Sequence, residues 1–210
     1  MILLTGFEPF GTYKDNPSAE VAEALHGRAV GDDAVESVVL PVHHARAAAV
    51  MAELVGKATP RAIVHLGLAG GRARIALERV AVNVMDFEIA DNAGYRAAGE
   101  PCVPGGPVAY WSTLPLAAML EALTAEGVPA YVSTTAGTYL CNQTFYTTRH
   151  LLASRGLDVP AGFIHLPLSP SMVAASNLDQ PSMDVPLMIR AVEIALRAAV
   201  TTGDTEHRRR

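Results

Sequence analysis

Residues 61–68, RAIVHLGL, are apolar almost without a break, with no alternation that would mark one face for solvent. A strand of this kind belongs inside a sheet covered on both sides, where neither face meets water. Working backwards, ARAAAVMAELVGK (45–57) carries apolar residues at helical spacing, and AVESVVLPV (34–42) reads as a strand. SAEVAEALHGRA (18–29) is again helical, closed by Gly27 and Gly31, and MILLTG (1–6) opens the chain as a strand. Working forwards, the alternation resumes with PLAAMLEALTAEG (115–127) as helix and PAYVSTTAG (129–137) as strand. NQTFYTTRHLLASRG (142–156) as helix, AGFIHLPLSP (161–170) as strand and SMDVPLMIRAVEIALRAAV (182–200) as helix complete it.

Strands alternating with helices predict a single-domain, three-layer α/β/α sandwich over residues 1–200, with a polar, disordered tail over 201–210. At 210 residues the chain suffices for one well-filled core and is short for two. The Gly- and Pro-rich section 83–110 has no clean period, and is expected to be a functional surface segment or to pair at a sheet edge.

Composition excludes several classes of function. Lys and Arg number 16 against 21 Asp and Glu, and the only basic run is HRRR at 207–210, which fits a frayed tail better than a nucleic-acid site. The opening residues lack signal-peptide features, and the apolar runs are too short and too broken for a membrane span. Two cysteines support neither a disulfide scaffold nor a zinc knot, so a cytoplasmic setting is expected. There the glycosylation-like tripeptide Asn142-Gln143-Thr144 is incidental. His43 and His44 have no carboxylate or cysteine at metal-ligand spacing beside them, and no metal is expected.

Three residues carry potential chemistry. Cys141 follows the loop TTAG and stands where a helix beginning near Asn142 would place its sulfur close to a helix N-terminus, which favours a thiolate. A small buried packing residue is an equally good reading. His165, in GFIHLPLSP, is either a satisfied core histidine or, lying toward a strand end where α/β folds place functional loops, a base for Cys141. Glu78, in RIALERVAVN, falls in an alternating segment that suggests a half-buried strand. Spacing alone favours a surface salt bridge with Arg74 or Arg79, and the sharper reading is an acid that orients an imidazole. GLAGGR (67–72) matches neither a P-loop nor a dinucleotide fingerprint, and Phe7, Phe10 and Tyr13 offer an apolar wall or simple loop packing.

Taken in order, LLTGFEPFG, NPS, LPV, GLAGGR, IALERVAVN, DN-G, YWSTLP, AGTYLCN, GFIHLPLSP and PSM cover nearly the whole chain, and together they resemble the pyroglutamyl peptidase I family. The resemblance implies a cysteine exopeptidase that removes N-terminal pyroglutamyl (5-oxoprolyl) residues from peptides. It also implies a twisted mixed, mostly parallel sheet, no cofactor, and a homo-oligomer, dimer or tetramer. It makes Cys141 the nucleophile, His165 the base and Glu78 the orienting acid. Phe7, Phe10, Tyr13, Asn16, Leu68, Ile89, Tyr139 and Leu140 become substrate-binding residues. Backbone amides near Cys141 and in the 88–89 region become candidate oxyanion donors.

Leu68, Thr134 and Leu168 depart from the family's habitual residues, and DFEIADN (86–92) puts Glu88 where an arginine is usual and Ala90 where a proline is. None of these removes the triad, so activity is expected. The alternative that Glu88 raises is a catalytically weak or inactive pyroglutamyl-peptide-binding homologue. A nucleoside phosphorylase on a similar scaffold would need phosphate- and base-binding groups that the chain lacks.

Overall fold

The structure is a computed structural model that describes residues 1–57, 59–176 and 179–207. Its first half contains β1 (Ile2–Phe7), α1 (Pro17–Leu25), β2 (Ala29–Val30), β3 (Asp33–Leu40), α2 (His44–Lys57), β4 (Ala62–Leu68) and β5 (Ile75–Glu78). Short strands β6 (Val80–Val82), β7 (Met85–Asp86), β8 (Ala98–Glu100) and β9 (Ala109–Trp111) follow. The chain continues through α3 (Leu116–Ala125), β10 (Ala130–Ser133), α4 (Leu140–Ser154), β11 (Ala161–Leu166), α5 (Pro170–Ala175) and α6 (Val185–His207).

Seven strands form one sheet in the order β10-β5-β11-β4-β1-β3-β2. The stretch that opens the sequence reading is the central strand β4, flanked by β1 and β11 and buried at every residue. Side chains alternate between two apolar layers. Ala62, Val64 and Leu66 of β4, with Ile2 and Leu4 of β1 and Ile164 and Leu166 of β11, pack against α1, α3 and α6. Ile63, Leu3, Ala161 and Phe163 face the opposite layer, where α2 and α4 supply Met51, Val55, Phe145 and Leu152. Full burial of a side chain such as Phe163 contributes about 1.5–3 kcal/mol, and the two-sided core therefore accounts for the near-continuous hydrophobicity of the central strands. The expected mixed, mostly parallel α/β/α sandwich is the fold observed.

Several particulars differ from the sequence reading. β11, β4, β1 and β3 run parallel, but β5 pairs with β11 antiparallel, and β10, parallel to β5, also runs against the main direction. β5 is buried at all four residues rather than half-buried, because β10 and β11 cover both its edges. The section 83–110 joins neither edge of the seven-stranded sheet: β7 and β8 within it pair with each other, and β9 at its end pairs with β6 just before its start. α4 begins at Leu140, so Cys141 lies inside its first turn, and α5 arises where the strand reading ran on to Pro170. Residues 201–207 of the expected tail continue α6, while 208–210 lie outside the described residues.

Candidate active site

β5 and β11 bring the acid and the imidazole together. Glu78 stands opposite Phe163 in the antiparallel register and reaches diagonally to His165, two residues further along β11. Glu78 Oε1 lies 2.8 Å from His165 Nδ1. The carboxylate is fully buried and the imidazole retains 5 % exposure. Burial raises the Glu78 carboxyl, but the contact with His165, the imidazole's charge, Ser133 and Arg72 together hold it below the ordinary value. Arg72 Nη1 donates to the same oxygen at 2.7 Å. The arginine that pairs with Glu78 is therefore neither Arg74 nor Arg79, and the pair is buried on the acid's side rather than solvated.

Cys141 reaches the same place from the other layer. After β10 the chain turns through Gly137, whose φ of 77° is a left-handed conformation that suits a residue without a Cβ, and enters α4. The thiol then lies against Gly67, near the C-terminal ends of the parallel strands β4 and β11 where functional loops were expected. Room for it comes from Gly67, which pairs with His165 across the β4–β11 ladder. A Cβ at Gly67 would sit 2.7 Å from the Phe163 ring and 2.9 Å from Cys141 Sγ.

The first-turn position of Cys141 favours a thiolate, and burial works against it. Burial, followed by the Glu78 charge, pushes the thiol up to about 12, against the smaller opposing effects of Arg72 and its own backbone amide. Burial also lowers His165, Glu78 opposes that, and the nearby Arg72 cation adds to it. Burial thus works against charge on both the thiol and the imidazole. With Nδ1–H donating to Glu78, Nε2 is left as the proton acceptor.

Asn142, the residue after the cysteine, fixes this geometry. Its side-chain oxygen accepts from the Val82 amide at 2.9 Å, and its NH2 donates to the carbonyls of Val82 and Val84, both at 2.9 Å. Asn83 continues the ties, accepting from the Val103 amide at 2.9 Å and donating to the carbonyls of Val103 and Gly106 at 2.9 and 3.2 Å.

Cys141 and His165 border a cavity of about 360 Å³. Phe7, Phe10, Asn16, Leu68, Ile89, Tyr139 and Leu140 line it as well, so seven of the eight expected substrate-binding residues meet there. Tyr13 does not border it: its ring stands edge-on to Phe10, 5.7 Å between centroids, and packs toward Leu68 and Leu168. The Asn16 carboxamide is largely occupied as the cap of α1, accepting from the Ser18 amide at 3.0 Å and donating to the Glu8 carbonyl at 3.1 Å. Val42, Asp86 and the turn Ala136–Thr138 also border the cavity, and the sequence reading did not single them out. Arg72 was missed too, although it closes the GLAGGR motif.

One expectation about the histidine pair changes. The fold brings Asp91 to His43 and His44, with a donor atom of each within 4.8 Å of the others. The Asp91 carboxylate is already engaged: Oδ2 accepts from the His44 amide and lies 3.0 Å from its Nδ1, and Oδ1 accepts from the amides of Ala93 and Tyr95 at 2.9 Å. Burial raises its carboxyl, but these four contacts outweigh burial and bring it down to about 2. A carboxylate so used ties the 91–95 turn to the start of α2.

Three comparisons bear on this arrangement. A family model described as pyroglutamyl peptidase matches residues 1–202. A pyrrolidone-carboxylate peptidase of Bacillus cereus is 42 % identical over 200 residues, covering 95 % of this chain and 93 % of that protein. Among solved structures, the pyrrolidone carboxyl peptidase of Thermococcus litoralis superimposes with a TM-score of 0.94 at 35 % identity, covering 98 % of this chain and 95 % of that one. Pyroglutamyl peptidase I of Bacillus amyloliquefaciens does so at 0.91 and 38 % identity, covering 95 % and 96 %.

Proposed function

Because the chain belongs to the pyroglutamyl peptidase family, we propose that Cys141, His165 and Glu78 are the triad with which it releases N-terminal pyroglutamate. The protein is a thiol-dependent exopeptidase acting on pyroglutamyl peptides. The observation that carries the residue assignment is the 2.8 Å contact of His165 Nδ1 with a fully buried Glu78, in the cavity that also holds Cys141.

In this mechanism the thiol and the imidazole both start neutral. His165 Nε2 takes the thiol proton as Cys141 Sγ attacks the carbonyl joining the pyroglutamyl ring to the next residue. Charge thus develops only as the bond forms, and Glu78 offsets it on the imidazolium. First-turn amides of α4, which have no helical acceptor behind them, and the 88–89 backbone supply donors to the oxyanion. The imidazolium returns its proton to the leaving amine. Water, activated by the same nitrogen, then hydrolyses the thioester and frees pyroglutamate and the thiol. Phe7, Phe10, Tyr139 and Leu140 hold the flat, uncharged lactam, a ligand suited to apolar walls and a few backbone hydrogen bonds. Tyr13 buttresses Phe10 from behind, and Leu68, Ile89 and Asn16 complete the rim.

Among the described residues no helix is long and apolar enough to cross a membrane. A cytoplasmic location and a dimer or tetramer remain part of the proposal. Exposed Val108 and Trp111, 86 % and 66 % accessible, favour association through the β9 region. Sedimentation at micromolar concentration giving only a 22.1 kDa species would overturn it.

The deciding experiment is release of a fluorogenic amine from its pyroglutamyl amide by wild-type and Cys141→Ala protein. Turnover abolished by the substitution supports the triad. A folded, reduced wild-type protein without turnover would favour a pyroglutamyl-peptide-binding role instead.

A further inference from the structure

The cavity lining is of two chemical kinds, apolar and acidic, side by side. Phe7, Phe10 and Tyr139 form an apolar wall, and among the described residues Asp86 and Glu88 supply its only carboxylates, with no lysine or arginine beside them. Both acids are exposed, and neither has a side-chain hydrogen bond or ion pair among the described residues. Their segment is nevertheless held in place. The Asp86 amide donates to the Thr138 carbonyl at 3.1 Å, the Thr138 hydroxyl donates to the Asp86 carbonyl at 2.7 Å, and Arg96 Nε donates to the Phe87 carbonyl at 2.9 Å. The backbone that carries the two acids is therefore tied to the turn that delivers Cys141.

A pyroglutamyl ring has no charge to offer them and fits the apolar wall. The peptide beyond the ring continues toward solvent, where the exposed Asp86 and Glu88 of the cavity lining can meet it. Resting on the peptidase reading above, we infer that Asp86 and Glu88 select substrates whose residue after pyroglutamate is cationic, and disfavour those in which it is acidic. Two exposed carboxylates acting across water discriminate modestly, roughly fivefold to tenfold between lysine and glutamate at low ionic strength. The discrimination fades as salt shortens the Debye length to about 3 Å near 1 M.

The test compares kcat/KM for three amidated peptides in which pyroglutamate is followed by lysine, norleucine or glutamate and then alanine. Norleucine keeps the lysine stem without its charge, so it separates electrostatics from packing. The order expected is lysine, norleucine, glutamate, with the spread collapsing toward unity at high salt and in the Asp86→Asn/Glu88→Gln protein. Ratios cancel any common change in rate that the substitutions cause. Equal kcat/KM for lysine and glutamate peptides, or a preference unchanged in the double variant, would overturn the inference. Binding of the same peptides to Cys141→Ala protein by calorimetry reads the same preference without turnover. Failure to cleave all three peptides counts against the peptidase reading, while the ratio of dissociation constants still decides the role of Asp86 and Glu88.

Discussion

His165 Nδ1 and Glu78 Oε1 lie 2.8 Å apart, and both residues sit inside the sheet rather than on a loop. Two strands running in opposite directions hold the acid and the imidazole, so their separation is a property of the sheet's register. Glu78→Gln keeps the shape and removes the charge, and its amide can donate to Nδ1, which turns the acceptor nitrogen away from the thiol. A loss in kcat of about 10²–10⁴-fold is expected, with KM little changed. Retention of more than a tenth of wild-type kcat would show that Glu78 does not orient the base.

Burial and Arg72 both disfavour the imidazolium, so the acid limb of kcat/KM should fall below the ordinary histidine value of 6.5. The protonated form is inactive as a base, and activity is lost as pH drops through the lowered value. Arg72→Gln removes the cation and should move the limb to higher pH. A limb that stays in place in this variant would mean that Arg72 acts on Glu78 alone.

A thiol pushed up to about 12 should alkylate slowly in the resting protein. The rate of iodoacetamide incorporation at Cys141, followed by mass spectrometry, is expected to climb steadily from pH 6 to pH 9. A fast, flat rate across that range would reveal a preformed thiolate–imidazolium pair and require a different resting state.

Gly67→Ala places a methyl group against the Phe163 ring and Cys141 Sγ. Overpacking of this kind costs about 1–3 kcal/mol, which should appear as a lowered urea midpoint. The loss of kcat should exceed what the folded fraction explains, because the thiol is displaced. Unaltered activity in folded protein would show that the sulfur has room to retreat.

His65 is a second buried histidine, with Thr5 Oγ1 2.8 Å from Nδ1 and Thr148 Oγ1 3.1 Å from Nε2. Complete burial pushes it down to about 3 from 6.5. The unfolded chain takes up this proton first, so the stability His65 supports is full above pH 6.5 and is lost as pH falls toward 3. The slope is up to about 1.4 kcal/mol per pH unit. His65→Gln, which can still pair with both threonines, should show a shallower decline between pH 6.5 and 4.5 in urea titrations. Parallel curves would contradict the assignment.

The layered fold was legible because β4 and its neighbours are buried on both faces, and two-sided burial writes itself into the sequence as unbroken hydrophobicity. Cys141 and His165 were legible as candidates through their positions beside predicted elements. The partner of Glu78 was not. Spacing favoured Arg74 or Arg79, whereas Arg72 is brought in by the GLAGGR turn that leads into β5. The Asp91–His44 contact spans 47 positions and follows from tertiary packing alone. The surroundings of the thiol were half legible: a helix N-terminus can be seen in sequence, but the burial that opposes its effect cannot.

Asn142 secures Val82 and Val84, and Asn83 secures Val103 and Gly106, so the excursion between them is stapled at both of its roots. The nucleophile's neighbour holds the near root. Such a segment behaves as an exchangeable cartridge: its lip can be rewritten, Asp86 and Glu88 included, while the reacting centre stays registered to the sheet. Diversity in what is accepted beyond the lactam can then accumulate in its exposed side chains while the 88–89 backbone and the triad keep their places.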